Sequence, residues 1–194
     1  MASVKLIVGD PLLLTNRDSN IFVNSGFAVQ RFVDASRAVH AEMVYHDNGD
    51  GTVVTLGSDF SGLMFRERPV DEYCKIIRMS GFSSLGEDQR MLIMESFYKE
   101  KGEQFGRGYP FINTVISGAN RTLDAMTFGI WKRLDFGMFN GSADCSATVA
   151  ELLSIMWPGF LVYRREDRDL LPPRMVTPGD LDNCPRLKVV KDWG

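Results

Sequence analysis

His40-Ala-Glu-Met-Val-Tyr-His46, Asp47-Asn-Gly-Asp-Gly51 and Thr52-Val-Val-Thr-Leu56 follow one another without a break. The outer runs are rich in β-forming residues and the middle one consists of turn residues, so the stretch predicts a hairpin through Asn48-Gly49. A two-residue turn there sets Val44 opposite Val53, Glu42 opposite Thr55 and His40 opposite Gly57. Alternation then puts His40, Glu42 and Thr55 on one face and Ala41, Met43 and Tyr45 on the other. The Asp/Asn/Gly cluster also invites a calcium-loop reading, but the ligand spacing and the bidentate Glu at the twelfth loop position are missing.

Working outward, Lys5–Leu14 is apolar and punctuated by Gly9-Asp10-Pro11. From Glu87 to about Phe105 the pattern is helical, with Met91, Met94, Tyr98 and Phe105 at i, i+3, i+7 and i+14, and Gly106-Arg-Gly108 stops it. Phe111–Phe139 is apolar but poorly periodic. A second helix begins near Asp144, with Cys145, Val149, Leu152, Leu153, Met156 and Trp157 as one stripe and Pro158-Gly159 as its end. Arg164–Asp169 carries three positive and three negative charges and reads as a solvated segment. Leu171 to Pro185 holds four prolines and reads as extended chain over the surface. No repeat and no linker divides the chain, so residues 1–194 are expected to form a single domain. Strands with interspersed helices and no βαβ rhythm predict an α+β fold, an antiparallel sheet packed against helices.

Composition narrows the function classes. In 194 residues, 44% are hydrophobic and 24% charged, with 18 Gly and 8 Pro, which excludes a disordered or collagen-like chain. A net charge of −3 offers no bulk attraction to nucleic acid or an anionic membrane. Three scattered cysteines, Cys74, Cys145 and Cys184, make no disulfide framework and suggest a reducing compartment. The apolar run near the N-terminus is shorter than a secretory h-region of about 7–15 residues. Ala147–Tyr163, interrupted by Glu151 and Pro158, falls short of the roughly 20 residues that span a bilayer. The expectation is a cytoplasmic protein with no membrane span.

Few residues are available for chemistry. The only histidines, His40 and His46, lie ~20 Å apart along a strand, too far to share an ion. No CxxC pair, phosphate loop or Gly-x-Ser-x-Gly elbow occurs, and neither metal nor cofactor is expected. Cys145 stands out. With Asp144 or Ser142 as N-cap, its thiol lies in a first helical turn, where the helix dipole favours a thiolate and backbone N–H groups can meet an oxyanion. It can equally be a small hydrophobe at the start of a core stripe, and His40 a structural histidine.

Five segments taken in order resemble the permuted papain-like cysteine hydrolases, circularly rearranged relatives of the NlpC/P60 cell-wall peptidases, and within them the YiiX-like branch. Gly9-Asp10-Pro-Leu-Leu-Leu14 is similar to the opening Gly-Asp-(apolar) strand. Val39-His40-Ala-Glu-Met-Val-Tyr45 resembles the strand that carries the family's histidine, and Gly108-Tyr109-Pro-Phe111 the segment after its helix. Asp144-Cys145-Ser146-Ala-Thr-Val149 resembles the Cys-Ser-Glu-Leu-Val helix start of the nucleophile, and Val176-Thr-Pro-Gly-Asp-Leu181 the Thr-Pro-x-Asp-Leu segment. Histidine precedes cysteine, as in that group. The pattern departs at Val39 (Ser in the family), Glu42 (Gly) and Ala147 (Glu).

The resemblance implies a papain-like sheet or barrel packed against helices, with Cys145 as nucleophile and His40 as general base and acid. Thr55 or Glu42 would hold the imidazole, with Ser58 and Asp59 as outside candidates if the loop is longer. Tyr109 and Ser146 are the implied substrate-binding residues, and the Cys145 amide part of the oxyanion hole. The implied reaction is hydrolysis of an amide bond in a small peptide or amide substrate, cell-wall peptides included. The alternatives are a thioester or lipid acyltransferase on the same fold, and a catalytically inactive ligand-binding module.

Overall fold

A computed structural model describes residues 4–15, 36, 38–59, 62–80, 84–105, 145–160, 162–164 and 169–193. Six strands form one antiparallel sheet: β1 (Pro11–Leu14), β2 (His40–Asp47), β3 (Thr52–Asp59), β4 (Gly62–Pro69), β5 (Tyr73–Met79) and β8 (Leu187–Asp192). Their order is β4-β3-β2-β1-β5-β8. A separate two-stranded ribbon joins β6 (Val162–Arg164) to β7 (Asp169–Leu171). Helix α1 spans Glu87–Phe105, α2 Cys145–Met156 and α3 Pro178–Asp182. The α+β class with an antiparallel sheet is as expected. No helix among the described residues is long and apolar enough to cross a membrane.

The period-two alternation of the strands builds two cores. Leu13, Ala41, Met43, Leu56 and Ile77 join Val149, Leu152, Leu153 and Met156 of α2 in the larger cluster. Leu12, Val44, Val53, Tyr73 and Ile76 form the smaller one, so neighbouring residues along a strand serve opposite faces. The predicted α2 stripe, from Cys145 through Trp157, is buried throughout. Among the described side chains of α1, Met94 and Phe97 are buried, whereas Tyr98 is exposed and lies against Phe65 at 5.1 Å between ring centroids. The helix thus turns a neighbouring line of side chains to the core, because its apolar residues are spread around it and the sheet selects among them.

The hairpin register differs from the two-residue turn. Its loop is Asn48–Gly51, closed by Asn48 N–H donating to the Thr52 carbonyl (3.2 Å) and Gly49 N–H donating to Asp47 Oδ1 (3.0 Å). Gly49 and Gly51 both hold positive φ (78° and 94°), which the longer loop requires. A bulge at Tyr45 follows, and Val44 pairs with Thr55 instead of Val53. This displacement is two residues, an even step, so the faces survive although the partners change: His40, Glu42 and Thr55 still share one.

The C-terminal segment is not surface chain. Thr177 caps α3 through a capping box with Asp180 and Pro178 opens the helix, while Val176, Thr177, Gly179, Leu181 and Cys184 are buried. Prolines here start helices instead of keeping the chain extended. At the other end, Gly9 (φ 93°) leaves no room for a side chain, since a Cβ would come within 2.9 Å of Trp157. Asp10 beside it is buried and ion-paired to Arg78, which fixes the start of β1 to β5.

Candidate active site

Cys145 is the first residue of α2 and is buried, at 3% exposure. A helix start leaves backbone N–H groups without intrahelical partners and a partial positive charge beside the thiol. Because α2 packs across β2 and β3, that end meets the beginning of β2, where His40 stands. The Cys145 thiol and the His40 imidazole lie close enough to interact. Nε2 of His40 lies 3.2 Å from Glu42 Oε1, which leaves Nδ1 as the nitrogen available to the thiol. Burial alone would lower the basicity of this imidazole. The Cys145 thiolate and the Glu42 carboxylate outweigh it and push its pKa up to about 10.

Glu42 is the hub, with a side chain entirely withdrawn from solvent. Its Oε2 accepts from Thr55 Oγ1 (2.6 Å) and from the Tyr73 hydroxyl (2.7 Å). Its Oε1 faces His40, Arg68 Nε at 3.4 Å and Arg66 Nη1 at 3.8 Å. Burial works against the carboxylate, but the imidazolium and the two hydroxyls hold its pKa down to about 2. Both hydroxyls donate to it and three cationic or basic groups face it, a setting that suits the ionised carboxylate. Tyr73 is kept protonated by its burial and by the Glu42 charge, and therefore remains a donor.

The sequence left Thr55 and Glu42 as alternative partners of the imidazole. Glu42 makes the contact, Thr55 stands behind it, and Ser58 and Asp59 are not needed for it. Ser146, expected to face substrate, is fully buried, and its hydroxyl donates to the Val176 carbonyl at 2.7 Å. It ties the helix start to the C-terminal segment. Tyr109 and the capping candidates Ser142 and Asp144 lie outside the described residues. Cys74 and Cys184 carry thiols, not disulfides, and burial pushes both pKa values up. Among the described residues no group of three or more His, Cys, Asp or Glu is placed to hold a metal ion.

Compared with known proteins, the chain matches no family model, and no curated protein matches it either. A buried carboxylate orients and charges an imidazole, and that imidazole meets a thiol at a helix start: a nucleophile, a base and an orienting group in sequence.

Four contributors escaped the sequence reading. Tyr73 comes from β5, two strands from β2, and only the sheet order carries its hydroxyl to Glu42. Arg66 and Arg68 alternate along β4, a visible sign that they share a face. Their pairing with Thr55 and Val53 decides that it is the face of Glu42. Gly57 is the fourth. A Cβ there would sit 2.7 Å from Glu42 Cγ and 3.2 Å from Cδ, atoms anchored through both carboxylate oxygens. Gly57→Ala is expected to lower stability by about 1–3 kcal/mol in urea denaturation. Gly57 does not have a positive φ, so crowding of Glu42 is the cause under test; an unchanged midpoint would show that the carboxylate can yield.

Proposed function

We propose that this chain is a cysteine hydrolase of amide bonds on a permuted papain-like scaffold. The observation that carries the reading is Cys145 at the start of α2 beside His40, itself held by the buried Glu42. The thiolate attacks the substrate carbonyl, and the Cys145 backbone N–H supports the oxyanion. The His40 imidazolium gives its proton to the departing amine, the C–N bond breaks, and a thioester remains on Cys145. Neutral His40 then takes a proton from water, whose oxygen attacks the thioester. The carboxylic acid leaves and the thiolate–imidazolium pair returns. Glu42 keeps the ring oriented and its positive charge stabilised. Short peptides, including those of bacterial cell wall, are the substrate class we favour. Three thiols kept as thiols fit work in a reducing compartment such as the cytoplasm.

The test is incubation with a library of short peptides, followed by mass spectrometry of both products and protein. Cleavage with a transient acyl adduct on the Cys145 peptide is expected, and Cys145→Ala should lose at least ~10³-fold of the rate. Delivery of the acyl group to an added amine or alcohol in preference to water would make the protein an acyltransferase. Absence of both adduct and cleavage would leave a ligand-binding module.

A further inference from the structure

Charges of alternating sign run from the surface to the nucleophile. Glu72, 39% exposed, pairs with Arg68 Nη1 at 3.2 Å; Arg68 Nε faces Glu42 Oε1 at 3.4 Å; the same oxygen faces His40 Nε2 at 3.2 Å; and His40 meets Cys145. Arg68 and His40 thus share one carboxylate oxygen. Arg68 Nε is buried and makes no hydrogen bond, so the charge of that oxygen is its compensation. Glu42 is the largest of the charges that hold this guanidinium protonated.

We propose that Arg68 is a positioning residue that acts through Glu42 to set how basic His40 is, and with it the upper pH limit of the Cys145–His40 ion pair. The proposal deepens the hydrolase reading and takes its catalytic meaning from it. An imidazole flanked by a thiolate and a carboxylate, both buried, is held so tightly as imidazolium that it becomes a reluctant donor to a leaving amine. A guanidinium on the same carboxylate oxygen draws off part of that charge and brings the ring back toward working pH. Among the described residues, the other groups facing this pair are Arg66 from β4, Tyr73 from β5 and Cys145 from α2, with the Thr55 hydroxyl from β3. Glu72, from the turn before β5, pulls on Arg68 from outside.

The experiment follows the His40 ring by NMR through a pH titration of the full chain, in wild type, Arg68→Met and Arg68→Lys. His46, exposed on the hairpin, is an internal control. Removing the cation should raise the His40 midpoint by about 0.5–1 pH unit, and lysine should restore most of the shift. A folded Arg68→Met chain with an unmoved or lowered midpoint overturns the proposal. Should Arg68→Met fail to fold, Glu72→Gln decides. Freed from Glu72, Arg68 leans on Glu42 and the midpoint should fall; no movement overturns the proposal. Alkylation of Cys145 by iodoacetamide in the same samples separates the two readings. An ordinary thiol beside a shifting His40 removes the hydrolase and keeps the coupling. A reactive ion pair beside an unmoved His40 does the reverse.

Discussion

Glu42→Gln is expected to destabilise the protein by about 3–5 kcal/mol, read as a fall in the urea midpoint at neutral pH. With its NH2 toward Thr55 and Tyr73 the amide makes both hydroxyls turn round and accept, and it offers the cations a neutral oxygen; turned the other way, its NH2 confronts His40, Arg66 and Arg68. Two guanidiniums and an imidazole then lose the buried carboxylate that they share, and breaking a buried charge pair from one side is costly. The sign of the pH dependence follows from the two shifts. The Glu42 pKa falls on folding from 4.5 to about 2, so its stabilisation is present above pH 4.5 and disappears as pH drops through 2. That of His40 rises from 6.5 to about 10, so its share is complete below 6.5 and is lost as pH climbs through 10. The variant should lose the acid-side dependence that Glu42 contributes. A cost below about 1 kcal/mol would show that no charge is buried at this position.

The second large effect concerns reactivity. Site-resolved alkylation of Cys145 by iodoacetamide should follow an apparent pKa well below the free value of about 8.5, and His40→Ala should raise it by at least about two units. The imidazolium is a cation facing the thiol, and without it a thiol at 3% exposure loses that support for ionisation. Cys74 and Cys184 are measured in the same spectra. Burial raises both pKa values, so they should react only at high pH and serve as references. If wild-type Cys145 titrates like those two, and does so regardless of His40, the thiolate–imidazolium pair does not exist and the hydrolase reading goes with it.

Much of this site is local in the chain. Alternation along β2 puts His40 and Glu42 on one face whatever the register, and only a slip by an odd number of residues would separate them from Thr55. Cys145 heads a helix whose apolar stripe and Pro158-Gly159 stop are plain in the sequence, and α2 runs from Cys145 to Met156. The hairpin was legible in kind but not in detail. Asn48-Gly49 favours a two-residue turn, yet Asp47 and Asp50 side chains bond the loop backbone and stretch it to Gly51. The C-terminal prolines misled because proline suits both extended chain and the first turn of a helix, and burial against α2 chose the helix.

The sequence by itself determined an α+β chain, a strand bearing His40 and Glu42 on one face, and a cysteine at the head of a buried helix. These follow from short-range rules: alternation in strands, the stripe of a helix, and punctuation by Gly, Pro and Asn. The tertiary structure decided that Cys145 meets His40, that Glu42 and not Thr55 holds the ring, and that Tyr73, Arg66, Arg68 and Gly57 surround the carboxylate. Those contacts join β2 to β3, β4, β5 and α2, and the order of strands in a sheet is set by how apolar faces pack over long separations in the chain, which no local pattern encodes.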